Sequence, residues 1–303
     1  MNRLEFLIKS ALVTSGAFLP VRSIIKHGRG QNSFTPLRRN VGIFIGQGGT
    51  IGWLANKNAL VAVDSQYPKT AQICLDGLKE KTSHSMDFLV NTHHHGDHTS
   101  GNPVFKKATN HIIAHQNVPA LQKKAAELNG EDALKNQVYA DITFEKSWKK
   151  DVGDETIHAT YYGQAHTSGD AVIYFEKANV AHMGDLVFNR AYPYIDRPAG
   201  ASVQSWLSVL THATSELPDD TIFIFGHGNE NFGVTGKKAD VLLMKNYLSA
   251  LLEFTQKGIA AGKTKEEIAK ALIIPGFDVF NTPGWSLPLS VNIGIAYDEL
   301  TNQ

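Results

Sequence analysis

Apolar residues in this chain fall into short runs broken by glycine, asparagine and proline, and the spacing within the runs changes along the sequence. Val41–Ile45, 51–54 and 60–63 are brief apolar segments separated by Gly- or Asn-bearing turns, which predicts successive strands. Pro68 then opens a segment, 70–79, with helical spacing. Phe88–Val90 predicts a buried strand, and Thr99, Ser100 and Pro103 supply a helix start a few residues beyond it. A strand at 111–114 and a helix at Val118–Leu128 follow. Residues 157–160, 171–175 and Val180–His182 give a second series of strands. Two amphipathic helices, 202–216 with Ser202 as its cap and 237–254, flank an apolar strand at 221–225. Strands and helices in this order predict one layered α/β domain.

Composition narrows the picture. With 303 residues, 42% hydrophobic and 19% charged, the chain can bury a substantial single core. Lys plus Arg equals Asp plus Glu at 29 each, so there is no basic excess to neutralise a phosphate backbone, and nucleic acid is not expected as a partner. Cys74 is the only cysteine, which excludes an intrachain disulfide and a zinc–thiolate cluster; inside the helix at 70–79 it reads as a small buried hydrophobe. Residues 1–9 are a short basic start and 10–19 a small-residue apolar stretch, which together predict an export segment. It is similar to a twin-arginine signal, with Leu4 standing where the second Arg is expected and no clear Ala-x-Ala cleavage site after it. The apolar stretch is too short for a membrane span, so the expectation is an exported, periplasmic protein with no stable span after processing, the alternative being a cytoplasmic protein in which this stretch is an N-terminal helix. Residues 1–30 are assigned to this signal and a linker, and 31–303 to the folded domain; the Gly- and Arg-rich stretch 27–40 reads as linker.

The densest chemistry lies just after the strand at Phe88–Val90. His93, His94, His95, Gly96, Asp97 and His98 put four imidazoles and a carboxylate into six residues. In an extended segment alternate side chains share a face, so His93 and His95 converge while Asp97 and His98 turn toward a neighbouring position. Two adjacent metals become possible. His94 points the other way and is not expected to be a ligand.

These residues resemble the zinc-binding signature of the metallo-β-lactamase-fold hydrolases, and the rest of the pattern follows in that family's order. His166 lies in Gly163-Gln164-Ala165-His166-Thr167, Asp185 follows Gly184, and His227 sits between Gly226 and Gly228. The resemblance runs from about 41 to 228 and makes 31–303 a hydrolase domain of that type. It implies an αββα sandwich: two mixed sheets with helices on both outer faces. It also implies two Zn2+ per chain, the first held by His93, His95 and His166, the second by Asp97, His98 and His227, with Asp185 bridging the pair. In such a site, with metals about 3.5–4 Å apart, a shared water is acidic enough to exist as bridging hydroxide, and Asp97 would orient it and collect its proton as the catalytic carboxylate.

The substrate class implied is a small ester, thioester, lactone or amide, with a β-lactam among the members. Asp185 stands where one lactamase subclass uses cysteine. That is the arrangement of hydroxyacylglutathione-hydrolase-like members, although the chain after His227 does not supply an evident glutathione-binding domain. Two alternatives stay open: a mononuclear iron dioxygenase of sulfur compounds on the same scaffold, and a non-catalytic metal-binding module. Asp64 is expected to hold a ligand histidine through its other nitrogen. Thr99, Thr167 and Asp170 adjoin ligands, while Asn189, Arg190, Tyr192, Tyr194 and Arg197 are expected to overhang the site, where Tyr or Arg would stabilise an oxyanion. His111, His115, His158, His182 and His212 read as core or surface residues. The oligomeric state is left open.

Overall fold

The computed structural model describes residues 32–282 and 287–301. The export segment predicted over the first thirty residues lies outside the described residues. Seven strands form a first sheet in chain order: β1 (Ser33–Arg38), β2 (Val41–Ile45), β3 (Ile51–Asn56), β4 (Ala59–Val63), β5 (Phe88–Val90), β6 (Ile112–His115) and β7 (Ile142–Phe144). The first four run antiparallel, as their short turns allow. From β4 onward the pairing is parallel, so each crossover carries helix: α1 (Pro68–Lys81), then α2 (Gly96–Thr99) and α3 (Asn102–Phe105), then α4 (Val118–Leu128) and α5 (Glu131–Lys135).

The second sheet is built from β8 (Ser147–Val152), β9 (Glu155–Thr160), β10 (Val172–Phe175), β11 (Val180–His182), β13 (Ile222–Ile224) and β15 (Thr235–Gly236), in the spatial order β15-β13-β11-β10-β9-β8. β11 and β13 pair in parallel and the rest antiparallel, so this sheet is mixed as well. A two-strand pair, β12 (Phe188–Asn189) with β14 (His227–Gly228), sits beside it, and α6 (Val203–Glu216), α7 (Lys238–Ala260), α8 (Lys265–Ile268) and α9 (Leu289–Thr301) complete the chain.

The period-2 alternation of strand side chains sorts the core into three apolar layers. Val61, Val63, Val90 and Ile113 of the first sheet meet Ile157, Ala159, Ile173 and Phe175 of the second. Leu60, Ala62 and Leu89 point the opposite way, onto Ala71, Cys74, Leu75 and Leu78 of α1. Val172, Ala181 and Phe223 turn outward onto Trp206 and Leu210 of α6 and Met244 and Tyr247 of α7. Sheet lies on sheet with helices outside both, which is the αββα order expected from the sequence. Cys74 is fully buried, as its helical, apolar setting predicts.

The linker expectation for 27–40 is corrected over its described part. Ser33–Arg38 is an edge strand in register with β2, placing Phe34 opposite Phe44. Phe34 packs on Phe44 at 4.8 Å and on Trp53 at 6.2 Å between ring centroids. The average composition of the stretch hides this alternation, and Pro36 is tolerated because the strand is at an edge, next to a register shift. β8, with the sequence Ser-Trp-Lys-Lys-Asp-Val, is mostly exposed and carries no apolar pattern to announce it.

Candidate metal centre

The chain leaves β4, β5, β9, β11 and β13 at one edge of the sandwich, and the segments that follow these strands carry every predicted ligand. Asp64 ends β4 with φ of 65°, a left-handed conformation that costs most side chains about 1–2 kcal/mol but suits Asp better than larger residues. Its own bonds hold it there. The backbone N–H donates to Val90 O at 2.8 Å, and the buried carboxylate accepts from Thr92 N and Thr92 Oγ1 at 2.8 Å each and from His98 Nδ1 at 2.7 Å. Asp64 thus clamps the start of the histidine loop to its last histidine.

Seven side chains converge here. His95 Nδ1 lies 3.1 Å from His93 Nε2 and 2.9 Å from His166 Nε2, and Asp185 Oδ2 stands 3.8 and 3.6 Å from the latter two nitrogens. Beside this set, His227 Nε2 is 2.9 Å from Asp97 Oδ2 and 3.4 Å from His98 Nε2. Asp185 also reaches this second set, with Oδ1 3.1 Å from His98 Nε2 and Oδ2 3.5 Å from His227 Nε2. The donor atoms therefore fall into two groups, His93, His95, His166 and Asp185 on one side and Asp97, His98 and His227 on the other, each able to hold a metal ion. Residues from distant parts of the domain meet, and the Asp185 carboxylate reaches donor atoms of both groups.

The outer ring nitrogens show why the inner ones are available. His95 Nε2 donates to Asp196 Oδ2 at 2.8 Å, His166 Nδ1 to Tyr194 O at 2.7 Å, and His98 Nδ1 to Asp64. His93 Nδ1 is 3.0 Å from Thr92 Oγ1, which passes its own proton to Asp64. With each outer proton engaged by an acceptor, the inner nitrogens present lone pairs. Asp185 Oδ1 is buried and makes no hydrogen bond of acceptable geometry, although His98 Nε2 is near it. Lone pairs facing a carboxylate oxygen call for a cation, so the donor set fits bound metal.

Charge around the cluster agrees. Burial, with His98 next in effect, holds His93 well below the usual imidazole range, and burial with His95 brings His166 down to about 3, so both are neutral donors. Burial works against a charge on His98, yet Asp185, Asp97 and Asp64 outweigh it and leave His98 well above its ordinary value. The field that would keep a proton there favours a cation. Asp185 lies far below the carboxylate range: burial opposes its charge, and His227 and His98 more than compensate.

Two glycines give the loops room. Gly184 has φ of 50°, and a Cβ there would stand 2.6 Å from Thr92 Oγ1; a Cβ on Gly226 would overlap Asp185 Oδ1. Above the donors opens a cleft of about 770 Å³, walled by Ile45, Tyr67, Phe188, Tyr194 and Val234, with Asp97, Asp185 and His227 reaching it. Among the described lining residues there is no Lys or Arg.

Of the five residues expected to overhang the site, only Tyr194 lines this cleft. Tyr192 is buried against Tyr247 and Phe280, Asn189 donates to Phe232 O and Gly233 O, Arg190 pairs with Asp240 at 2.8 Å, and Arg197 donates to Ala201 O. The segment folds back onto the helical layer, so alternate side chains turn away. Thr99 Oγ1 donates to His95 O, and Asp170 accepts from Thr167 N and Thr167 Oγ1, fixing the turn that carries His166. His182 is core, held by Thr50 O at 2.9 Å, while His158 pairs with Glu176 near the surface. Asp196 and Thr92 are the supporting residues that sequence reasoning missed. An Asp among prolines and a Thr after a strand look like ordinary loop residues until folding brings them to an imidazole.

The profile of the "Metallo-beta-lactamase superfamily" matches residues 81–227, the stretch that carries all the converging side chains and ends on the last of them, His227. Over that stretch the chain is similar to the metallo-β-lactamase superfamily. A curated relative, "Metallo-beta-lactamase IND-1" of Chryseobacterium indologenes, is 21% identical over 227 residues, 74% of this chain and 90% of that protein. Among solved structures, a metallo-beta-lactamase from Pontibacter korlensis superposes with a TM-score of 0.59 at 17% identity, covering 72% of this chain and 99% of its own. A stereoselective inverting sec-alkylsulfatase from Pseudomonas sp. gives 0.70 at 15% identity over 88% of this chain; the chain spans 50% of that protein's length. The family model and the curated relative indicate a metal-dependent hydrolase.

Proposed function

We propose that the protein is a dinuclear zinc-dependent hydrolase of a small ester, thioester, lactone or amide, working outside the cytoplasm. The observation that carries this reading is the pair of donor groups sharing Asp185 on the floor of one cleft. Imidazole and carboxylate donors without thiolate suit zinc, with His93, His95 and His166 holding one ion, Asp97, His98 and His227 the other, and Asp185 both. Bound there, the ions would supply Lewis acidity and an acidified water as nucleophile.

The chain's own groups do the rest. Asp97 is brought down to about 2, because His98 and His227 outweigh the burial that would raise it, so it faces the cleft as a carboxylate. It orients the attacking water and takes its proton at a carboxylate oxygen. Tyr194, 40% exposed at the mouth, has its hydroxyl kept protonated by burial and by Asp196, and donates to the oxygen on which charge develops. Ile45, Phe188 and Val234 shield that charge from water.

The names of the relatives put β-lactams and secondary alkyl sulfates on the substrate panel. A cleft wall without Lys or Arg among the described residues favours an uncharged carbonyl substrate over either anion. The test is metal analysis of purified protein with a chromogenic panel of esters, thioesters, lactones, β-lactams and sulfate esters. Two zinc per chain with turnover of a carbonyl substrate is expected. One iron with oxygen uptake on a sulfur compound would replace this reading by the dioxygenase, and two metals with no turnover across the panel by a binding module.

A further inference from the structure

We propose that His94 and Asp196 form a third, weaker metal site, reached from a second cavity, and that filling it inhibits the enzyme; only the inhibition rests on the dinuclear reading above. The alternation of the loop turns His94 away from the main cleft, as expected. It does not give it an ordinary structural job. The side chain is only 4% exposed, its Nδ1 is buried without a hydrogen-bond partner, and its Nε2 stands 3.7 Å from Asp196 Oδ2, beyond hydrogen-bond reach. Core histidines of this protein are satisfied by contrast: His182 is bonded at both ring nitrogens and His115 donates to Glu145 O.

His94, His95 and Asp196 offer ligand atoms that all lie within 4.8 Å of one another. They face a cavity of about 260 Å³ that shares only His95 and Tyr194 with the catalytic cleft, so it has its own approach from solvent and room for water to complete a coordination shell. Lys124 also lines this cavity, its ammonium donating to Pro198 O at 3.3 Å. That charge, and the small number of protein donors, make the site weaker than the two beside it.

The consequence follows from what Asp196 does for His95. Its Oδ2 accepts the Nε2 proton of His95 and thereby keeps the Nδ1 lone pair turned to His93 and His166. A cation bound by Asp196 and His94 Nε2 competes for that oxygen, weakens the hold on His95 and makes the first donor group a poorer one. Metal in excess then acts against metal already in place.

Equilibrium dialysis of the full chain against Zn2+, from stoichiometric to a large excess, tests this alongside turnover. Wild type should take up a third equivalent at high zinc, with a several-fold fall in turnover over the same range. His94→Ala and the more conservative His94→Gln should stop at two equivalents, match wild type at stoichiometric zinc and keep their turnover in excess zinc. Wild-type protein that saturates at the same number of equivalents as both variants, or a third equivalent that survives in both variants, overturns the proposal. A protein that binds one tight equivalent plus one lost in both variants would instead overturn the dinuclear reading and leave this site standing.

Discussion

At the scale of single residues, the energetics of the centre concentrate on Asp185. It is 4% exposed, touches both donor groups and has an oxygen with no hydrogen bond of its own. Asp185→Asn removes a charge and one coordinating oxygen while keeping the volume. The second metal should become substoichiometric and turnover should fall by orders of magnitude, with far-ultraviolet circular dichroism unchanged at moderate temperature. Retention of both metals and full turnover would show the bridge to be misassigned. Asp196 acts one layer further out: Asp196→Ala takes away the acceptor of His95 Nε2 and should weaken the tightest metal about 10- to 100-fold, read by competition with a chromophoric chelator. Four of the seven candidate ligands, His93, His95, Asp97 and His98, stand out in the sequence because three imidazoles and a carboxylate crowd into one loop, whereas His166, Asp185 and His227 are singled out only by the resemblance to a known family. Asp196 was not legible, because its partner is 101 residues away and nothing local distinguishes it.

At the scale of elements, the site depends on turns that place ligands at the ends of strands. The turn after β9 is closed by Asp170, whose buried carboxyl is pushed up to about 8: desolvation outweighs the donors at Thr167. An acid with a raised folded pKa binds its proton more readily folded than unfolded, so its contribution to stability declines as pH rises from about 4 through 8. Asp170→Asn mimics the protonated form. Its melting temperature relative to wild type should therefore improve toward pH 8, whereas a constant offset across that range would show that the group is ionised when folded. The link from β13 to β14 is tighter still. Gly226→Ala would drive a methyl into Asp185 Oδ1 and against the Gly184 backbone, 2.8 Å away. We expect lower zinc content and a lower melting temperature together, and a variant with normal values for both would mean that the loop yields easily. Strands made of continuous apolar runs, such as β4 and β10, could be read in advance; β1 and β8 could not, because edge strands bury one face at most and carry polar residues that look like loop.

At the scale of the whole molecule, the donors hang from both sheets and lie on separate segments of the chain. Removing metal therefore leaves buried carboxylate and imidazole lone pairs opposed across the sandwich. Adding zinc to metal-free protein should raise the melting temperature in a concentration-dependent way, with about 4 kcal/mol gained at roughly a thousandfold excess over the dissociation constant. A melting temperature insensitive to zinc would mean that the sandwich holds the cluster in place by itself. Export belongs to this scale as well. We expect a variant lacking residues 1–20 to be folded and metal-loaded in the cytoplasm, because every predicted ligand and every described strand lies beyond them. Cell fractionation that finds full-length and shortened chains in the same compartment would remove the export expectation.

The sequence by itself determined the candidate donor residues and their order, the apolar runs that build the strands of two sheets, and, with Cys74 alone, the lack of a thiolate cluster. These are local or compositional properties: periodicity of two or 3.6, residue type, and spacing within a loop. Tertiary structure alone decided that Asp185 faces both donor groups, that Asp64, Thr92 and Asp196 fix which nitrogen each histidine presents, that Asn189, Arg190, Tyr192 and Arg197 turn away from the cleft, and that His94 opens on a cavity of its own. Each of these depends on contacts between residues far apart in sequence, and the distance between two such side chains is set by how the sheets pack rather than by anything written next to either of them.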